Sequence, residues 1–141
     1  MERTNNVVRI PIHKIEDFFR LWVVFLTPLH HLTNREIDVI VAILIQRYRL
    51  SLSISDPELL EEVLMNTDTK RKVKAMCNMN ENNFQVVMCK LRKNKVIINI
   101  GGSERGTEKY IISPKFIPNI TSEDTKAKLT ILFELSCNTQ Q

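Results

Sequence analysis

With 141 residues, 43% hydrophobic and 26% charged, the chain has enough length and apolar content for one domain with a sizeable core, which excludes a disordered or low-complexity polypeptide. The net charge of +4 is unevenly spread: residues 66–117 hold eleven Lys/Arg against four acids, a surplus of +7 that leaves −3 for the remainder. Three cysteines (Cys77, Cys89, Cys137) and three histidines (His13, His30, His31) fall in no metal-ligand spacing, so reduced thiols, no metal and no cofactor are expected.

Along the chain, Val7–Ile12 reads as a short extended segment confined to an edge or terminus by Pro11. Ile15–Leu26 reads as a helix that ends before Pro28, which cannot continue the hydrogen-bond ladder. Its apolar run Leu21–Leu26 is far short of the ~20 residues that cross a bilayer. The polar start Met1–Asn6 has no signal core, so a cytoplasmic chain with no membrane partner is expected. His30-His31 falls in the turn that follows.

Thr33-Asn-Arg-Glu36 is a capping box in which the hydroxyl and carboxylate satisfy each other's backbone amides, and the helix it opens runs to about Leu50. Residues Val39–Ile45 leave that helix almost no polar face, and the aromatic helix before it, through Phe18, Phe19, Trp22 and Phe25, is the natural cover. Two helices this apolar exceed what a small module hides. Part of the surface, around Phe18, Trp22 and Phe25, is therefore expected in a subunit interface of a homo-oligomer.

Asp56 caps and Pro57 opens a short acidic helix, Glu58–Met65. Thr67–Cys77 is a basic helix, Asn78-Met-Asn80 a tight polar turn, and Asn80 caps a further helix over Glu81–Asn94. On that helix Phe84, Val87, Met88 and Leu91 recur at spacings of three and four as a core stripe. Residues 96–100 and 108–112 then form an antiparallel hairpin around the loop Gly101–Thr107. Pro114 and Pro118 punctuate a connector, and Thr121–Asp124 suggests a last helix, although Leu129–Leu135 also alternates like a strand.

At about 100° per residue, Asn82, Val86, Cys89 and Lys93 lie opposite the core stripe, flanked by Gln85 and Lys90. Asn and Gln match the adenine edge, and Lys meets phosphate or guanine. Val86 and Cys89 offer no more than contact with a thymine methyl, and a partly apolar helix face of this kind equally suits a protein partner. Arg105 at the loop tip, Lys109 on the return strand, and Lys70, Arg71 and Lys74 on the basic helix complete a candidate phosphate-binding set. Each of these clusters also reads as ordinary solvated surface. No phosphate loop, nucleophile with base, or carboxylate pair is recognisable, so a non-enzyme is expected.

The stretches Leu32-Thr-Asn-Arg-Glu-Ile-Asp-Val-Ile-Val-Ala-Ile-Leu44, Leu91-Arg-Lys-Asn-Lys-Val-Ile97, Gly102-Ser-Glu-Arg-Gly106 and Tyr110-Ile-Ile112 together resemble the winged helix-turn-helix proteins, in outline the MarR-type regulators, over about residues 31–117. The resemblance implies a mainly α fold with a small β-hairpin and extra N-terminal and C-terminal helices that help dimerise. It divides a single domain, 1–141, into an N-terminal strand and helix (1–30), the winged-helix module (31–117) and a C-terminal segment (118–141). Its implied function is a non-catalytic, DNA-binding transcriptional regulator of phage or bacterial type, with duplex DNA as partner. The acidic helix at 57–65 departs from that pattern. The alternative is a structural or assembly subunit of a large complex, such as the neck, ring or capsid-associated part of a phage virion. It would use the same fold for protein–protein contacts through Val86 and the apolar N-terminal helices, and would place the chain in a virion.

Overall fold

The computed structural model describes residues 12–118, a mainly helical chain with one small two-stranded antiparallel hairpin. Its order is α1 (Ile15–His30), α2 (Asn34–Ser51), α3 (Pro57–Leu64), α4 (Thr67–Cys77), α5 (Glu81–Lys93), β1 (Ile97–Asn99), β2 (Tyr110–Ile112) and a 3-10 turn at Pro114–Phe116. The expected N-terminal extended segment and the expected last helix fall outside the described residues.

Most helix boundaries follow from their caps. The Thr33–Glu36 capping box is made: the Thr33 amide donates to Glu36 Oε2 at 2.6 Å, and the Glu36 amide to Thr33 Oγ1 at 3.4 Å. Asp56, Asn66 and Asn80 each accept an amide of the first turn of the helix that follows. Asn78 takes the left-handed conformation, φ 52°, that closes α4 and turns the chain into α5.

One boundary corrects the expectation: α1 does not stop before Pro28 but continues to His30. Proline removes one donor, and this late in a helix it forfeits a single ladder bond while α1 stays anchored on its neighbours. Thr27 Oγ1 donates to the Val23 carbonyl, and His31, left-handed at φ 51°, closes the end by donating its amide to Thr27 O at 2.7 Å.

Helix α2 is the centre of the fold, with α1, α3, α4 and α5 all packed on it. That arrangement explains its sequence, because every residue from Val39 to Ile45 is buried. The apolar surplus expected at a subunit interface is thus largely absorbed by the chain itself. Among the described residues, no helix is long and apolar enough to cross a membrane.

The hairpin is shorter than its apolar pattern implies. Ile97 pairs with Ile112, Ile98 with Ile111 and Asn99 with Tyr110, and β1 docks on α5. Beyond Asn99 two backbone bonds still cross the hairpin, from the Ile100 amide to Lys109 O at 2.8 Å and from the Gly102 amide to Thr107 O at 2.9 Å. The Asn99 side chain reinforces them: its Oδ1 accepts the amides of Gly101 and Lys109, both at 2.9 Å, and its Nδ2 donates to Gly102 O at 3.0 Å. Phe84, Val87, Met88 and Leu91 are buried in one cluster with Val96, Ile97 and Ile112. Phe116, after the hairpin, enters that same core and returns the chain to α1: its carbonyl accepts Trp22 Nε1–H at 2.7 Å, and its ring meets His30 with centroids 4.6 Å apart.

Candidate nucleic-acid interface

The buried stripe of α5 fixes what its other side offers. Asn82, Gln85, Val86, Cys89, Lys90 and Lys93 are all exposed, and Val86 at 55% is among the most exposed large apolar residues described. Polar, cationic and apolar groups alternate on this face. Lys90 and Lys93 form no ion pair among the described residues.

The loop following β1 places Arg105 in the open. Gly101 is required for space, since a Cβ there would run into the carbonyl oxygen of Thr107 and approach the Lys109 amide. Gly106 is required for conformation, at φ 92°. Between them, Glu104 O accepts the Thr107 amide at 3.1 Å and its hydroxyl at 2.6 Å, so the turn carrying Arg105 is tied back on itself. A backbone fixed in this way leaves the Arg105 side chain, rather than the loop, to be ordered on binding.

The other basic residues named for phosphate contact lie in different surroundings. The Lys74 ammonium pairs with Glu81 Oε2 and sits 5.8 Å from the Phe84 ring centroid, bracing α4 against the start of α5. Arg71 reaches Asp68 at 3.5 Å and Lys72 reaches the same carboxylate at 3.7 Å, both as exposed pairs. Lys70 and Lys109 line a groove of about 240 Å³ between α3, α4, α5 and β2, which also holds Arg92, Glu61, Glu62 and Glu108. Three cations meet three carboxylates there, so the groove has little net charge, and the acidic helix α3 supplies two of the three acids. Arg92 lies over Tyr110, 5.3 Å from the ring centroid, and Arg47 Nε bonds Glu61 Oε1 at 3.1 Å.

Residues named for a subunit interface separate as well. Phe18 is buried in the core, and Trp22 is half-buried with its indole N–H bonded to Phe116 O. Phe25, at 42%, and its neighbour Val24, at 46%, carry the exposed apolar surface of α1. Glu81 and Arg92 went unnoticed in the sequence. The available signal was the spacing of four between Glu81 and Gln85 on one helix flank.

The two described cysteines differ. The Cys77 thiol donates to Asp38 O at 3.4 Å, and burial, reinforced by the Asp38 charge, pushes its pKa up. Cys89 lies exposed on the outward face of α5, where Arg92 Nη2 donates to its sulfur at 3.2 Å. Raising a thiol's pKa removes thiolate at neutral pH, so limited alkylation followed by peptide mapping should label Cys89 well before Cys77. Equal rates would contradict the burial of Cys77. Among the described residues, no three His, Cys, Asp or Glu side chains gather as a metal site.

No family model, curated relative or solved structure matches the chain.

Proposed function

We propose that the chain is a non-catalytic DNA-binding protein of the winged helix-turn-helix kind, a transcriptional regulator that sets α5 into the major groove of duplex DNA and lays the hairpin loop along the backbone. The observation that carries this reading is the exposed face of α5, with Asn82, Gln85, Lys90 and Lys93 on it, followed directly by a hydrogen-bonded loop that exposes Arg105. Base-edge donors and acceptors sit on a rigid helix, and cations flank them, which is the division of labour that groove recognition needs. Lys74 is spoken for by Glu81, and Lys70 and Lys109 stand beside the glutamates of the groove. Phosphate contact therefore falls first to Lys90, Lys93 and Arg105, which have no carboxylate pair among the described residues.

The test is the salt dependence of binding to duplex DNA. Each phosphate neutralised should contribute a log–log slope of about −0.9. Arg105→Ala should make the slope shallower by about one unit and weaken all sequences alike. A slope unchanged by the substitution would remove the loop from the interface.

One observation favours a second reading, that of an assembly subunit. Val86 stands exposed at the centre of the α5 face, and Val24 and Phe25 stand exposed on α1. Under that reading the wild type would bind duplex DNA weakly at most, and Val86→Asp would abolish oligomer or particle formation.

A further inference from the structure

Glu81 opens α5, and its side chain is 58% exposed yet held from two directions. The Lys74 ammonium, from α4, meets Oε2, and Gln85 Nε2, one turn on, donates to Oε1 at 2.8 Å. These hydrogen bonds, Lys74 first and Gln85 second, hold the carboxyl below the usual carboxylate range, so it is ionised at neutral pH. The arrangement also determines the orientation of Gln85. Its NH2 faces the carboxylate because its carbonyl oxygen would be repelled there, so the oxygen and the second N–H are the groups Gln85 has left to offer. A carboxylate has about four acceptor sites and two are taken, so Glu81 also keeps acceptor capacity facing solvent.

Around the helix at about 100° per residue, Gln85 stands between Glu81 and the outward residues Asn82 and Cys89. The first two turns of α5 therefore present one acceptor-only group, the Glu81 carboxylate, beside the amides of Gln85 and Asn82, which keep both a donor and an acceptor. Cytosine N4 and adenine N6 are the amino donors of the major groove, whereas guanine N7 and O6 and thymine O4 are acceptors.

We propose that Glu81, held by Lys74 and Gln85, is a preset acceptor that makes α5 select a base carrying an exocyclic amino group, cytosine or adenine, at one position of its duplex site. This inference rests on the DNA-binding reading and adds a discriminating element to it. A carboxylate opposite guanine or thymine would meet a like acceptor without a proton between them, and the wrong base would be rejected as much as the right one attracted. Lys74 thus acts as a positioning residue: it holds the discriminating carboxylate in place and makes no phosphate contact itself.

The experiment is selection from a random duplex pool by the full chain, repeated with Glu81→Ala and, as a charge control, Glu104→Ala. Alanine offers no side-chain acceptor, whereas glutamine would still read adenine. Glu81→Ala also loses the ion pair with Lys74, so its thermal melt should lie slightly below the wild type, and the selections are run well below the onset of unfolding. The wild type should recover a site with cytosine or adenine fixed at one position. Glu81→Ala should lose that preference by about tenfold, leave the other positions unchanged, and bind random duplex more tightly because one negative charge near the polyanion is gone. Glu104→Ala should leave every position preference intact. A wild-type site retained by Glu81→Ala would overturn the preset-acceptor proposal while leaving DNA binding standing. Binding without any base preference would do the same. No duplex binding by the wild type would overturn the DNA-binding reading, and this proposal with it.

Discussion

Leu91→Ala should lower the free energy of unfolding by about 2–5 kcal/mol, as a large-to-small change in a core does. Leu91 is fully buried in the cluster with Phe84, Met88, Val96, Ile97 and Ile112, and its carbonyl accepts the Val96 amide at 2.9 Å, where α5 hands the chain to β1. Truncation there loses the transfer free energy of the removed methyl groups and leaves a cavity that helix and hairpin can close only by moving together. Urea unfolding followed by far-ultraviolet circular dichroism measures the change. A loss under about 1 kcal/mol would mean that the hairpin is not seated on α5, because an exposed leucine has no such cavity to leave.

Phe116→Ala should have an effect of similar size, about 3–5 kcal/mol. The ring is fully buried among residues of the main core although it lies beyond the hairpin, and its backbone carbonyl is the acceptor for Trp22. Trp22 is the only tryptophan of the chain, which makes its fluorescence a local probe. Loss of the ring should loosen the 3-10 turn, free the indole N–H to water and red-shift the emission before global unfolding. If the variant is destabilised and the emission of its folded state stays unchanged, the ring stabilises the core without holding the Trp22 contact.

These two substitutions lie on either side of the line between sequence and tertiary structure. The Leu91 environment is legible beforehand, because a helical stripe at spacings of three and four can be buried on one side only, whatever covers it. Phe116 is not legible, because a single aromatic between prolines has no period, and only the fold decides that it swings back onto α1. The helix at Pro28 is a related case: proline predicts a stop, and the packing of α1 on α2 outweighs the one ladder bond forfeited.

Local chemistry also determines the caps Thr33, Asp56, Asn66 and Asn80, each a short acceptor beside an otherwise unsatisfied amide, and hence most helix starts. The exposed set Asn82, Gln85, Val86, Lys90 and Lys93 likewise follows from the position of the buried stripe. What sequence could not assign is which cations are free. Lys70, Arg71 and Lys74 look alike along the basic helix, yet one lines a groove with three glutamates, one pairs with Asp68 and one clamps Glu81. The Arg71–Asp68 pair, three apart on one helix, is readable from spacing. The Lys74–Glu81 pair and the groove depend instead on separations of a few ångströms between groups seven or more residues apart, and a linear pattern carries no such distances. Composition and period thus determine the helices, the hairpin and the face of α5, whereas the charge available on that face is decided by tertiary contacts.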